Sequence, residues 1–150
     1  MKYGIKLKYI RTEELWTQEK VAASLGISRS TYKEYETQNS IIPLTHLIKF
    51  CEIFNISLDF AFDFTEVKNY TNNKSSINHK EVGNNLKIFR KKEKLTQVKL
   101  ADILNTTQSV IADYERGRYL ISTANLYAIC TKYKISADYL LGKIDFEPKL

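Results

Sequence analysis

The chain has little of several things that would commit a sequence to a particular chemistry. Its 150 residues include two cysteines, Cys51 and Cys130, and two histidines, His46 and His79. So few cysteines do not make the disulfide framework of a small secreted scaffold. Each lies among apolar residues, where a thiol acts as a small buried hydrophobe. Neither histidine has a second ligand at metal-binding spacing, so no metal site is expected. The five glycines form no phosphate-cradling loop, and no Ser-His or Cys-His constellation falls at useful spacing. The sequence therefore points to no enzyme, no cofactor and no small-molecule ligand. No apolar run approaches the roughly 18 residues of a membrane-spanning helix. The start, MKYGIKLKYIRTEELW, alternates polar with apolar and lacks a signal-peptide core. A soluble cytoplasmic protein is the expectation.

Charge is present and unevenly placed. The formal net charge is +6, which favours polyanionic partners without making the chain an extreme polycation. Residues 1–66 carry a net −1, residues 67–79 a net +2 and residues 80–150 a net +5. Attraction to phosphate is thus expected mainly from the second half.

The chain contains one pattern twice. Adding 79 carries Gly4, Leu7 and Arg11 onto Gly83, Leu86 and Arg90. It carries Thr17-Gln18, Ala22 and Leu25 onto Thr96-Gln97, Ala101 and Leu104, and Ser30 and Tyr35-Glu36 onto Ser109 and Tyr114-Glu115. Leu47, Cys51 and Ile56-Ser57 map onto Leu126, Cys130 and Ile135-Ser136. One register held without a gap over this length marks a duplication. Each copy has about 60 residues, enough to fold alone. The expected division is a first domain over 1–66, a flexible linker over 67–80 and a second domain over 81–150. Asn, Ser and Lys dominate the linker, TEVKNYTNNKSSINHK with its approach, where large apolar residues are few. A coil of that length averages about 20 Å and extends to roughly 45 Å.

Apolar spacing predicts five helices per copy. In the second, Leu100, Ala101 and Leu104 gather on one helical face. Asn105 suits a left-handed exit, and the Thr107 hydroxyl suits the N-cap of a helix starting at Gln108. Ile111 and Tyr114 point that helix inward, leaving Gln108, Ser109, Ala112 and Asp113 outward near its beginning. In the first copy Thr17 and Ser28 cap the equivalent pair. Pro43 suits the first turn of a fourth helix bearing Leu44, Leu47, Ile48, Cys51 and Phe54, and Ser57 opens a short fifth.

These residues resemble the helix-turn-helix of lambda-repressor-like, Cro-type repressors, the XRE family. The likeness covers Gly4 to Phe62 and Gly83 to Gly142. It is sharper in the second copy, LTQVKLADILNTTQSVIADYERG, than in the first, WTQEKVAASLGISRSTYKEYETQ, where Gln38 stands in place of Gly117. The resemblance implies an all-α fold of two tandem five-helix helix-turn-helix domains joined by a polar linker. It implies that Gln18 and Gln97 anchor helix two to a phosphate, at a helix end that favours anions. It assigns Gln108 to adenine N6 and N7, Ser109 to a base edge, Ala112 to a thymine methyl and Asp113 to cytosine N4 or to solvent. Arg116 and Arg118 become phosphate clamps. The corresponding first-copy residues are Arg29, suited to guanine, with Ser30, Lys33, Glu34 and, beyond them, Asn39. It further implies ion pairs between Arg11 and Glu36 and between Arg90 and Glu115, tying helix one to the end of helix three.

The function this implies is sequence-specific recognition of double-stranded DNA by a repressor-like transcriptional regulator of bacterial or phage type, with homodimerisation open. The alternative is a protein-interaction or dimerisation module in which the first copy has lost DNA contact and only the second reads DNA. Its motive is the negative first copy and its aromatic end, Phe60-Ala61-Phe62-Asp63-Phe64, which serves either the core or a dimer surface.

Overall fold

A computed structural model describes residues 3–150, and those residues form helices and connecting turns with no strand. They divide into two compact units, one ending at Thr71 and the other beginning at Asn72. Unit 1 contains α1 (Tyr3–Glu13), α2 (Gln18–Leu25), α3 (Arg29–Glu36), α4 (Leu44–Phe54) and α5 (Leu58–Ala61). Unit 2 contains α6 (His79–Lys92), α7 (Gln97–Ile103), α8 (Gln108–Glu115), α9 (Thr123–Tyr133) and α10 (Ala137–Leu140).

The starts of these helices are set by hydroxyl caps at matching places. The Lys20 and Lys99 N–H groups donate to Thr17 and Thr96. The Thr31 and Val110 N–H groups donate to Ser28 and Thr107, and those of Phe60 and Tyr139 to Ser57 and Ser136. Each cap satisfies an amide that the helix itself leaves without a partner. Pro43 immediately precedes α4 rather than lying in its first turn, and it offers no side-chain cap.

Helix exits repeat as well. Positive φ occurs at Leu15 and Lys94, Gly26 and Asn105, Gln38 and Gly117, Asn55 and Lys134, and Asp63 and Gly142. Every pair is 79 apart. The backbone keeps its left-handed steps even where the residue is not glycine.

Each unit closes on its own core. In unit 1, Leu7, Val21, Tyr32, Ile42, Leu47, Phe50 and Leu58 are fully enclosed, and in unit 2 Leu86, Leu100, Ile111, Leu126, Ala137 and Leu141 are. Phe60 and Phe62 are buried too, and Phe62 packs edge-on against Tyr3. The aromatic end of unit 1 therefore completes a core, and the feature that motivated a dimer surface is used internally. Phe54 and Tyr133, expected in the core, are half-buried at its rim, against Trp16 and Phe89 respectively. Cys51 and Cys130 are buried free thiols.

First helix and third helix cross closely in both units. A Cβ on Gly4 would lie 2.8 Å from the Tyr35 carbonyl oxygen and 2.9 Å from that of Glu36. On Gly83 it would stand against the Tyr114 carbonyl oxygen, with that of Glu115 at 2.7 Å. Only a residue without a side chain allows this approach.

The polar segment expected as a free linker is not a free coil. The Ser57 N–H donates to the Lys68 carbonyl at 2.7 Å, and the Tyr70 hydroxyl donates to Asp59 Oδ2, also at 2.7 Å. On the other side the Lys74 N–H donates to the Lys143 carbonyl at 2.8 Å. His79 and Lys80 form the first turn of α6 because Asn78 accepts the Lys80 and Glu81 N–H groups. Polar side chains that signal a linker by composition here serve as caps and turn partners. The C-terminal stretch is used in the same way: Ile144, in a tail too short to interpret from sequence, is buried.

Candidate nucleic-acid interface

The site begins with the ion pair beneath it. Arg90 Nε and Nη2 lie 2.7 and 3.0 Å from the two Glu115 carboxylate oxygens, and Arg90 Nη1 donates to the Leu95 carbonyl at 2.8 Å. This two-point contact fixes both planes and joins α6 to the end of α8. Arg11 and Glu36 make the same contact in unit 1, at 2.5 and 3.1 Å, with the Trp16 carbonyl as third partner. Burial pushes the Glu36 carboxyl up, but hydrogen bonds from Arg11 and Gln18 outweigh it and hold the group below its ordinary value. The Glu36 hydrogen bond pushes the Arg11 guanidinium up. Tyr32 fills the position of Ile111, and burial, with Glu36 adding, holds its phenol far above the usual range.

From the ion pair a chain of side chains runs outward. The Gln97 amide donates to Glu115 at 3.2 Å, and the Gln108 amide donates to Gln97 Oε1 at 3.4 Å. Gln97, expected as a phosphate anchor, is thus a bridge between the buried carboxylate and the first residue of α8. Gln18 is engaged in the same way, donating to Glu36 at 2.9 Å. The resemblance placed these glutamines at the right helix end, but contact with Glu36 and Glu115 is visible only when the chain folds back on itself.

The outward face of α8 matches the expected pattern. Gln108 and Ser109 are exposed, Ala112 and Asp113 half-buried, and Ile111 and Tyr114 point into the core. The Tyr114 hydroxyl accepts from the Asn125 amide at 3.1 Å, which ties α8 to α9. In the following loop Arg116 and Arg118 are exposed, and both lean toward Asp113.

In α3 of unit 1, Arg29, Ser30 and Lys33 are exposed and Glu34 is half-buried, with exposed Asn39 in the loop beyond. The Ser30 hydroxyl pairs with Ser28 at 3.1 Å. The places of Arg116 and Arg118 are taken by Thr37 and Asn39, so this loop lacks the cationic pair.

Gln38 retains the left-handed turn of Gly117, with φ of 64° against 72°. It can do so because its side chain has somewhere to go: Oε1 accepts the Gly4 N–H at 3.3 Å. At Gly117 a Cβ would lie 2.8 Å from the Lys80 Cα, so a side chain there would meet backbone.

Two features of the site were missed from sequence. The pairing of Asp113 with two arginines was one, although an acid followed at three and five residues by arginine is a signal for it. The other was the role of Gly4 and Gly83. Each lies three residues before a core leucine on one helical face, and glycine there signals a close crossing.

Among the described residues, no group of three His, Cys, Asp or Glu side chains is placed to hold a metal. No helix among them is long and apolar enough to cross a membrane.

Comparison with known proteins agrees with this geometry. The helix-turn-helix family matches twice, over residues 7–60 and 86–140, and the two matches begin at equivalent leucines, Leu7 and Leu86. The immunity repressor protein of Bacillus phage phi105 is 40% identical over 62 residues, 41% of this chain and 43% of that protein. An HTH-type transcriptional regulator of Bacillus subtilis is 28% identical over 64 residues, 43% of this chain and 57% of its own length. A second from that organism, SPbeta prophage-derived, is 34% identical over 74 residues, 45% of this chain and 68% of its own length. The chain spans about half the length of the first two of these curated relatives. With both copies matched across most of their helices, the chain belongs to the helix-turn-helix family, of XRE type, and carries its unit in tandem.

Proposed function

We propose that the protein is a sequence-specific double-stranded-DNA-binding transcriptional regulator of repressor type, acting in the cytoplasm without catalysis. The observation that carries this is the support under α8. A buried carboxylate holds Gln97, Gln97 holds Gln108, and the exposed Gln108 and Ser109, with half-buried Ala112 beside them, are thereby presented at a helix beginning, the geometry suited to a major groove. Gln108 is the candidate adenine reader and Ala112 the candidate thymine-methyl contact. Arg116 and Arg118 supply phosphate attraction in the unit whose half of the chain carries the positive charge. Arg29 is the candidate guanine reader of unit 1, with Lys33 beside it. Because SRSTYKEY and TQSVIADY differ, one chain is suited to two dissimilar half-sites rather than a palindrome. The relatives named as a repressor and as transcriptional regulators support this reading.

The test is selection of bound duplexes from a random library with the full chain, repeated with Gln108→Ala and Arg29→Ala. An enriched motif is expected, with Gln108→Ala relaxing one base position at a cost of about 1–3 kcal/mol. No enrichment, or the same motif from both variants, overturns the assignment.

A further inference from the structure

Each unit has a hollow between its first and last helices, and the duplication lets one serve as a reference for the other. In unit 1 the hollow is lined by Lys6, Tyr9, Phe60, Asp63, Glu66 and Lys68, with Ile5. Adding 79 to those six gives Asn85, Ile88, Tyr139, Gly142, Asp145 and Glu147, and all six line a cavity of about 250 Å³ in unit 2.

In unit 1 the corner of this hollow holds an ammonium from the chain itself. Lys6 Nζ lies 4.1 Å from the Phe60 ring centroid, 5.5 Å from that of Tyr9 and 2.9 Å from Asp63 Oδ1. The Lys6 side chain is only 14% exposed, so its charge has exchanged water for ring faces and a carboxylate.

Unit 2 keeps one of the two rings, Ile88 standing in place of Tyr9, and has no lysine at the place of Lys6, while Lys92 also lines its cavity. Tyr139 replaces Phe60. Asn85 replaces Lys6, and its amide donates to the Leu140 carbonyl at 3.1 Å. Gly142 replaces Asp63, yet a carboxylate returns from α6: Glu81 Oε1 lies 2.5 Å from where a Cβ on Gly142 would stand. Asp145 and Glu147 are paired with Lys74 and Lys92, at 3.1 and 3.9 Å. Among the described residues no lysine or arginine reaches the Glu81 carboxylate within 4.0 Å. Phe89 and Tyr133 supply an apolar wall.

We propose that this cavity binds a primary alkylammonium group, presented by a free amine or by a lysine side chain, with Glu81 as counter-ion and the Tyr139 ring against the cation. The volume suits an ammonium on a chain of a few carbons. The ligand would sit on α6, two residues from the Gly83 crossing against α8.

The test is titration of the full chain with n-butylammonium, followed by the backbone amide shifts of Glu81, Asn85 and Gly142. A saturable response at these residues is expected, with n-butanol at least about tenfold weaker because it lacks the charge. Asn85→Lys places unit 1's ammonium in the cavity and should abolish the response, and Glu81→Gln should weaken it at least about fivefold. Spectra unchanged away from the cavity show that each variant is folded, and either variant suffices if the other is not. Nα-acetyl-lysine amide separates the sources: tighter binding than butylammonium indicates a protein side chain, weaker binding a free amine, and either supports the site. An equal response to butanol, a response undiminished in both variants, or no saturable shift overturns it. The readout needs no DNA, so its failure leaves the DNA reading untouched.

Discussion

Arg116 Nη2 lies 2.7 Å from Asp113 Oδ1, and Arg118 Nη1 lies 3.8 Å from the same oxygen. The acid side chain is 19% exposed while the arginines are 67% and 65% exposed. The carboxylate is thus committed to the loop, and the guanidiniums keep their outer faces exposed. Surface pairs of this kind contribute little to stability, so the effect lies in how the arginines are aimed and how much positive charge they present.

Asp113→Asn should therefore tighten binding to all duplexes alike, by a few-fold at low salt, and leave base preference unchanged. Competition binding over a panel differing at single positions checks it. Relaxed preference at one position would instead make Asp113 a base reader.

Gly83→Ala forces a methyl group into the carbonyl oxygens of Tyr114 and Glu115. Backbone cannot step aside as a flexible side chain does, so a loss of about 2–3 kcal/mol is expected. Lys87→Ala, at an exposed position of the same helix, should change stability by under about 0.5 kcal/mol. Urea unfolding of the two variants makes the comparison.

Gln38 combines an unfavourable backbone region with a useful side chain. Gln38→Ala keeps φ positive and loses the bond to the Gly4 N–H, and should cost about 1 kcal/mol. Gln38→Gly loses the same bond but removes the steric cost of the left-handed turn, and should be more stable than the alanine variant by about 1 kcal/mol. Equal stability of the two would show that φ at this position is not strained.

Glu36 gives unit 1 a pH dependence. Its carboxyl is held below the ordinary value of 4.5 in the folded chain, so its contribution is complete above that value and is lost as pH falls through the folded one. Wild-type stability should decline over that window. Glu36→Gln should be less stable at pH 7, because Arg11 is left buried with no carboxylate, and its profile should be flatter below 4.5. Melting temperatures of both proteins from pH 7 to pH 3 test this.

Much of the architecture was legible in the residues because it rests on local rules. Thr17, Ser28, Thr107 and Ser136 each cap the helix that their chemistry and place indicate. Leu100, Ala101, Ile111 and Tyr114 face inward because helical spacing puts them on one side. The segment from Val67 to Asn78 was less legible, since asparagine and serine have the same composition whether solvated or bonded to backbone. The partners that decide the matter, such as Asp59 for Tyr70, are distant along the chain.

The sequence alone determined the duplication, the five-helix plan of each copy and the outward polar face at Gln108, because periodicity and capping act over a few residues. Tertiary structure decided what those polar residues are bonded to. It bonded Gln97 to Glu115 and Gln108, paired Asp113 with two arginines, gave Gln38 the α1 amide to bind, and set Lys6 in a corner where its counterpart, Asn85, bonds backbone instead. A hydrogen bond or ion pair needs two groups brought together through space, and the register of one chain segment carries no record of which distant segment will arrive.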